Sequence, residues 1–119
     1  MLEKHNIKNF EVEEVHQKGG KKIANQTLEI LSNCDIIYVS FDVDSMDCDM
    51  ISYGTGTPVP KGFDDKEIVE IINGLLASNK VACVEFVEVN PLLDLKGNKM
   101  AQTAFSILDD VTKTISNLK

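Results

Sequence analysis

Two aspartates stand at the end of an apolar run. Residues 36–41 are β-branched and aromatic, and Asp42 and Asp44 follow in the motif Ser40-Phe41-Asp42-Val43-Asp44. In an extended strand both carboxylates share one side, about 6.5–7 Å apart at Cα. Two carboxylates aimed at one point repel unless a cation lies between them, and hard oxygen donors suit Mg²⁺, Ca²⁺ or Mn²⁺. The motif therefore predicts a divalent-metal site.

A purely structural interpretation stays open at this point. A bare Asp-x-Asp can also end a strand and solvate a turn. Asp47 and Asp49 bring the number of carboxylates to four within eight residues, which favours the metal interpretation. The residues themselves do not identify the metal.

Two further segments are candidates for substrate binding. Glu88 lies near the end of a predicted strand over residues 81–89, just before Asn90-Pro91. Because the carboxyl ends of parallel strands meet at one edge of a sheet, Glu88 would reach the edge that carries the aspartates. A carboxylate there can hold a guanidinium by paired hydrogen bonds, although an ordinary strand-end glutamate is the simpler alternative. Thr55-Gly56-Thr57-Pro58 adds hydroxyls and a backbone that a ligand can approach closely.

The remaining pattern supplies the elements that must position these residues. It predicts an α/β chain with strands at residues 7–15, 36–41 and 81–89, helices at 21–31, 64–76 and 99–118, and a long loop at 44–63. Asp64 with Glu67 three residues later is typical of a capping box. Strands alternating with helices indicate a parallel sheet with crossover helices.

The predicted strands are more apolar than a sheet of only three strands requires. The middle strand has the composition of a strand buried on both faces, which predicts that more sheet lies beside it. In the last helix we expect one buried stripe, made of Ala104, Leu108, Val111, Ile115 and Leu118. The chain is therefore expected to be part of a larger assembly or a longer polypeptide.

Composition limits the function classes. The 119 residues suit one compact domain, and 12 basic against 19 acidic side chains give a formal charge of −7, which disfavours nucleic acid. Three widely spaced cysteines and an N-terminus without an apolar signal core predict a cytoplasmic chain. No apolar run reaches the length of a membrane span, so no membrane partner is expected.

Three motifs in order resemble one enzyme superfamily. Ser40-Phe41-Asp42-Val43-Asp44, Gly54-Thr55-Gly56-Thr57-Pro58 and Glu88-Val89-Asn90-Pro91 are similar to the ureohydrolases, which comprise arginase, agmatinase and formimidoylglutamase. The resemblance implies that residues 1–119 form a single partial domain. This domain is the C-terminal part of the family's three-layer α/β/α fold with a parallel sheet.

The resemblance also implies roles for the candidate residues. Asp42 would bridge two Mn²⁺ ions, Asp44 would ligate one of them, and Thr57 and Glu88 would line the pocket with Glu88 facing the guanidinium. The implied reaction is hydrolysis of L-arginine to ornithine and urea by a metal-activated water. Agmatine and formimidoylglutamate are the alternative substrates, and a non-catalytic assembly module is the alternative of a different class.

Departures from the family pattern limit that expectation. The family's upstream Gly-Gly-x-His and Asp-x-His-x-Asp ligand motifs are missing, since Gly19-Gly20 is followed by Lys21-Lys22. Only Asp42 and Asp44 match metal ligands. We therefore expect the chain on its own to be inactive, and its uncovered sheet and helix faces to form a homo-oligomer.

Overall fold

The computed structural model describes residues 3–118. Its elements are α1 (Val12–Lys18), α2 (Gly20–Ile30), β1 (Ile37–Asp42), α3 (Asp65–Leu76), β2 (Val81–Val87) and α4 (Lys99–Asn117), with 3₁₀ turns at Glu3–His5, Val43–Ser45 and Pro91–Leu93. Met1 and Leu2 lie outside the described residues. They belong to the N-terminal segment from which a cytoplasmic location was predicted. Among residues 3–118, no helix is long and apolar enough to cross a membrane.

A parallel βαβ unit forms the centre of the fold. β1 and β2 are hydrogen-bonded neighbours, and α3 connects them. The register pairs Ser40 with Glu85 and Asp42 with Val87. Both strands therefore end at the same edge of the sheet, as the sequence predicted.

One face of this sheet carries the core. Phe41 is buried and meets Phe86 of the neighbouring strand edge to face, with ring centroids 5.3 Å apart and an interplanar angle of 88°. Around this pair lie buried side chains of α3, of α4 and of residues 43–51, which follow β1. They are Val43, Met46, Ile51, Ile68, Ile72, Leu76, Met100, Ala104, Ile107 and Val111.

The opposite face of the sheet is open. Along β1, Ile37 and Phe41 are buried, whereas Tyr38 is 59% exposed and Ser40 is also exposed. The expectation of a strand buried on both faces is therefore wrong within residues 3–118. The alternating burial is that of a strand covered on one side only.

The predicted first strand, residues 7–15, is also wrong. Residues 7–11 form no regular element and α1 begins at Val12, so the sheet has two strands rather than three in the described part of the chain. Val12 and Val15 are three residues apart, which is helical spacing, and only Val15 is fully buried. Glu13 and Glu14 lie in the first turn, where acidic side chains favour a helix.

The last helix is rotated relative to the prediction. Met100, Ala104, Ile107 and Val111 form its buried stripe. Leu108, Ile115 and Leu118 were expected there but are 37–43% exposed. Phe105, which is 69% exposed, lies next to Leu108 and Ile115 around the helix, and these three side chains form a second apolar stripe beside the first.

The N-terminus of α3 has the predicted capping box. The Glu67 amide donates to Asp64 Oδ1 at 2.7 Å, and the Asp64 amide donates to Glu67 Oε2 at 3.0 Å. His16 of α1 adds an ion pair to the same glutamate, with Nδ1 2.5 Å from Glu67 Oε1. This contact raises the pKa of His16, mainly through the hydrogen bond to Glu67, with smaller effects from the charges of Asp64 and Glu13.

The His16–Glu67 pair predicts a pH-dependent contribution to stability. A histidine whose pKa is raised by folding stabilises the protein below its unfolded value of about 6.5, and loses that contribution as pH rises through the higher folded value. We expect wild type to exceed His16→Gln in unfolding free energy at pH 5.5 by less than about 1 kcal/mol, because exposed pairs contribute little. Urea denaturation at pH 5.5 and 8.5 measures the difference, which should vanish at the higher pH.

The exposed His5 provides the control. His5→Gln should follow wild type at both pH values. A pH-independent gap between wild type and His16→Gln would contradict the ion-pair explanation.

Candidate active site

The three sequence motifs converge at the carboxyl end of the sheet. Pairing of Asp42 with Val87 places the ends of β1 and β2 side by side. The Asn90 amide donates to the Gly54 carbonyl at 2.8 Å, and the Thr57 hydroxyl donates to Asp44 Oδ2. The long loop is thus hydrogen-bonded to both strand ends, and the residues predicted to act together are brought together.

The two aspartates are held by a turn rather than by a continuing strand. β1 ends at Asp42, and Asp44 lies in the 3₁₀ turn that follows. Asp42 Oδ1 accepts a hydrogen bond of 2.8 Å from the Asp44 amide. Val43 between them is fully buried, while Asp42 is exposed and Asp44 half-buried. The carboxylates therefore avoid the core, although strand alternation does not extend to Asp44.

The Asp44 carboxylate is only partly hydrogen-bonded within residues 3–118. Its Oδ2 accepts from Thr57, but its Oδ1 is buried and has no hydrogen-bond partner among residues 3–118. A buried carboxylate oxygen without a partner is costly, and a cation would offset that cost. This oxygen and the exposed Asp42 carboxylate fit the donor set that a hard divalent cation requires.

The other two carboxylates are engaged in the loop's own structure. Asp47 Oδ1 accepts from the amides of Asp49 and Met50 at 2.9 and 3.2 Å. Asp49 Oδ1 accepts from the Tyr53 hydroxyl at 2.7 Å, which raises the pKa of Tyr53. Within the described residues no group of three or more His, Cys, Asp or Glu side chains is placed to hold a metal ion. Of the four acidic side chains in this segment, only Asp42 and Asp44 therefore remain available to bind a cation.

The two candidate substrate residues are both exposed. β2 ends at Val87, two residues earlier than predicted, because Glu88 adopts a left-handed backbone conformation with φ 66°. Such a conformation costs free energy for a residue with a side chain and is frequent at functional sites. Of the two threonines, Thr57 donates to Asp44, whereas Thr55 is buried and its hydroxyl has no hydrogen-bond partner within residues 3–118.

Sequence reasoning missed a polar cluster on the open face of the sheet. Ser40 donates to Glu85 Oε1 at 2.6 Å across the strand pair, and this bond is the main cause that lowers the pKa of Glu85. A hydrogen bond to Glu85 also raises the pKa of Tyr38 to about 12. Counting back by two from Asp42 would have found Ser40 and Tyr38 on its face, and the strand register adds Glu85.

These features define a parallel α/β unit with carboxylates at the carboxyl end of its strands, which is where open α/β sheets bind ligands. Residues 1–113 match the arginase family, and the chain belongs to that family. Its sequence is 33% identical over 110 residues to the arginase of Bacillus subtilis, and 34% identical over 109 residues to that of Staphylococcus aureus strain COL. The matches cover 92% and 90% of this chain but 36% and 35% of those proteins.

Solved structures show the same relation. The chain matches the B. subtilis arginase structure with TM-score 0.81 and 33% identity, covering 92% of this chain and 38% of that one. For Helicobacter pylori arginase the TM-score is 0.85 at 27% identity, over 96% and 38%. Formimidoylglutamase of B. subtilis gives TM-score 0.85 at 25% identity, over 96% and 36%. The predicted ureohydrolase family and partial arginase-like fold are confirmed, and the chain spans little more than a third of these relatives.

The backbone of Glu88 generates a stability prediction. Glu88→Gly removes a left-handed penalty of roughly 1–2 kcal/mol but adds about 0.5–1 kcal/mol of unfolded-state entropy, so we expect the unfolding free energy to rise by between about 0 and 1.5 kcal/mol. Glu85→Gly, inside β2, should lower it. Urea denaturation compares the two variants. Equal destabilisation by both would show that the conformation of Glu88 carries no strain.

Proposed function

We propose that this chain carries part of the active site of a manganese-dependent ureohydrolase, and that the complete enzyme hydrolyses L-arginine to ornithine and urea. The observation that carries the proposal is the convergence of Asp42, Asp44, Thr57 and the Glu88 turn at one sheet edge, where a buried oxygen of Asp44 has no hydrogen-bond partner in the described part of the chain. The relatives named arginase support the choice of substrate.

Each residue has a role that its surroundings support. Asp42 and Asp44 would hold Mn²⁺, which when bound supplies a hydroxide nucleophile near neutral pH. Thr57 donates to Asp44 and so fixes the orientation of that carboxylate. Glu88 would bind the guanidinium through paired, charge-assisted hydrogen bonds that orient its carbon for attack.

The described residues provide too few ligands for a complete metal centre. Two carboxylates at a partly exposed edge bind a divalent cation weakly, because such ions take several oxygen ligands. We therefore propose that the chain alone releases no urea and binds Mn²⁺ weakly, and that the remaining ligands come from the part of the fold that its relatives have in addition.

The test is product release by the purified chain with Mn²⁺, measured as urea from L-arginine or agmatine and as formamide from formimidoylglutamate. The chain alone should be silent. Adding, as a separate polypeptide, the portion of B. subtilis arginase that this chain does not match should restore urea release from arginine. Asp44→Asn should abolish the restored activity.

Asp49→Asn is the matched control, because Asp49 lies in the same loop but bonds to Tyr53. It should retain most of the restored activity. Urea release by the chain alone, or two tightly bound Mn²⁺ per chain in a titration, would contradict the proposed incompleteness. Equal loss in both variants would contradict the specific role of Asp44.

Two alternatives rest on specific observations. The structural match to formimidoylglutamase favours a formimidoylglutamate substrate, and agmatine is tested in the same assay. The open sheet face and second apolar stripe favour a non-catalytic assembly module. A stable complex without activity on any substrate would support the module.

We also propose that the chain forms a homo-oligomer in a cytoplasmic setting. Both strands have an unpaired edge among the described residues. A cavity of about 290 Å³ beside β2 is lined by Val81 and Val84 and by two exposed side chains, Ile115 of α4 and Leu118 just after this helix. Cys34, Cys48 and Cys83 are free, which suits a reducing compartment.

Sedimentation velocity tests the association. We expect species heavier than the 13.2 kDa chain, since uncovered apolar surface and open strand edges favour self-association. Phe105→Glu, in the second apolar stripe, should shift the distribution toward monomer. Ser106→Glu adds the same charge on an adjacent exposed position and should leave it unchanged. A clean wild-type monomer at high concentration would overturn the proposal.

A further inference from the structure

Asp94 connects two segments that are far apart in sequence. Its Oδ2 accepts from the Met100 amide at 2.8 Å, and its Oδ1 accepts from the Lys96 amide at 2.8 Å and from the Ser52 hydroxyl. One carboxylate thus joins the start of α4 to the loop that leads to Thr57. The Ser52 bond is the main cause that lowers the pKa of Asp94.

The start of α4 explains part of this arrangement. Asn98 precedes the helix but has a left-handed backbone, φ 66°, and its side chain makes no cap hydrogen bond. Asp94 instead accepts from the second helical amide, that of Met100, and places a negative charge at the positive end of the helix. Capping, however, requires no contact with Ser52.

The hydrogen bond from Ser52 to Asp94 fixes the loop that leads to Thr57 against the start of α4. Ser52 is fully buried, and two residues later Gly54 packs directly on α4. A Cβ at Gly54 would lie 2.7 Å from Met100 Cβ and 2.9 Å from Asp94 Oδ2, so a side chain does not fit there. The Gly54 carbonyl in turn accepts from the Asn90 amide, in the turn that follows Glu88.

We propose that Asp94 is a positioning residue of the active site, which holds the loop carrying Thr57 against the turn carrying Glu88 through its contact with Ser52. The path runs from Asp94 through Ser52 to Gly54, and from there to Asn90 on one side and to Thr57 and Asp44 on the other. The functional meaning of this placement rests on the proposed roles of Thr57 and Glu88, whereas the placement itself is testable without them.

Amide hydrogen exchange by NMR on the full chain tests the placement. Ser52→Ala removes one hydroxyl and leaves the Asp94–Met100 bond intact. We expect the Asn90 amide to exchange about 10-fold faster, as follows from losing a hydrogen bond to a carboxylate, with Met100 and the β1 amides unchanged. Asp94→Asn should accelerate both Asn90 and Met100. Asp110→Asn, an exposed acid further along α4, should change neither.

A second readout separates positioning from a merely structural role. Mn²⁺ added to wild type should broaden the amide signals of Asp44 and Thr57 together. In Ser52→Ala the broadening at Thr57 should fall relative to Asp44, whereas general loosening would weaken both equally and would overturn the proposal. Unchanged Asn90 exchange in Ser52→Ala and Asp94→Asn would also overturn it. Absence of broadening in every variant would count against the metal assignment, and the exchange result would then decide the role of Asp94.

Discussion

The parallel pairing of β1 with β2 constrains every other feature of the site. In a parallel pair the two strands run in the same direction and need a crossover element between them, which here is α3. The chain leaves β1 at Asp42 and β2 at Val87, at one edge and in one register. Asp42 and Glu88, which are more than 40 positions apart in the sequence, therefore lie at neighbouring strand ends.

The carboxyl-end edge of the sheet contains two features that lower stability, and the buried core offsets them. One carboxylate oxygen of Asp44 is buried and has no hydrogen-bond partner among the residues that the structure describes, and Glu88 has a left-handed backbone. Each is unfavourable for folding. The compensation lies directly beneath, where Val43 and Phe41 are buried against α3 and α4. Burial of this apolar layer offsets the cost of the unpaired oxygen and of the left-handed backbone.

Sequence periodicity predicted the central elements well because their apolar spacing is unambiguous. α2, β1, α3, β2 and α4 begin and end within about two residues of expectation, and the Asp64–Glu67 capping box is present. It failed at α1, where the β-branched side chains of Val12 and Val15 favour a strand by composition although their spacing of three residues is helical. It also failed for Ser52 and Asp94, 42 residues apart, because a pairing between a loop hydroxyl and a helix-capping carboxylate leaves no periodic signal. The motifs located Asp42, Asp44, Thr57 and Glu88, but the turn at Asp44 and the φ of Glu88 are tertiary properties.

The distribution of apolar surface follows from the same fold being only partly present. α4 carries two adjacent apolar stripes, one buried on the sheet and one that includes the exposed Phe105 and Leu108. A helix apolar over so wide an arc is typical of an element covered on two sides. The open face with Tyr38 and Ser40 and the unpaired strand edges point the same way, since parallel sheets are normally covered on both faces. The candidate site lies where the covered and uncovered surfaces meet, so a partner that covers the open face of the sheet would also lie next to Asp42 and Asp44.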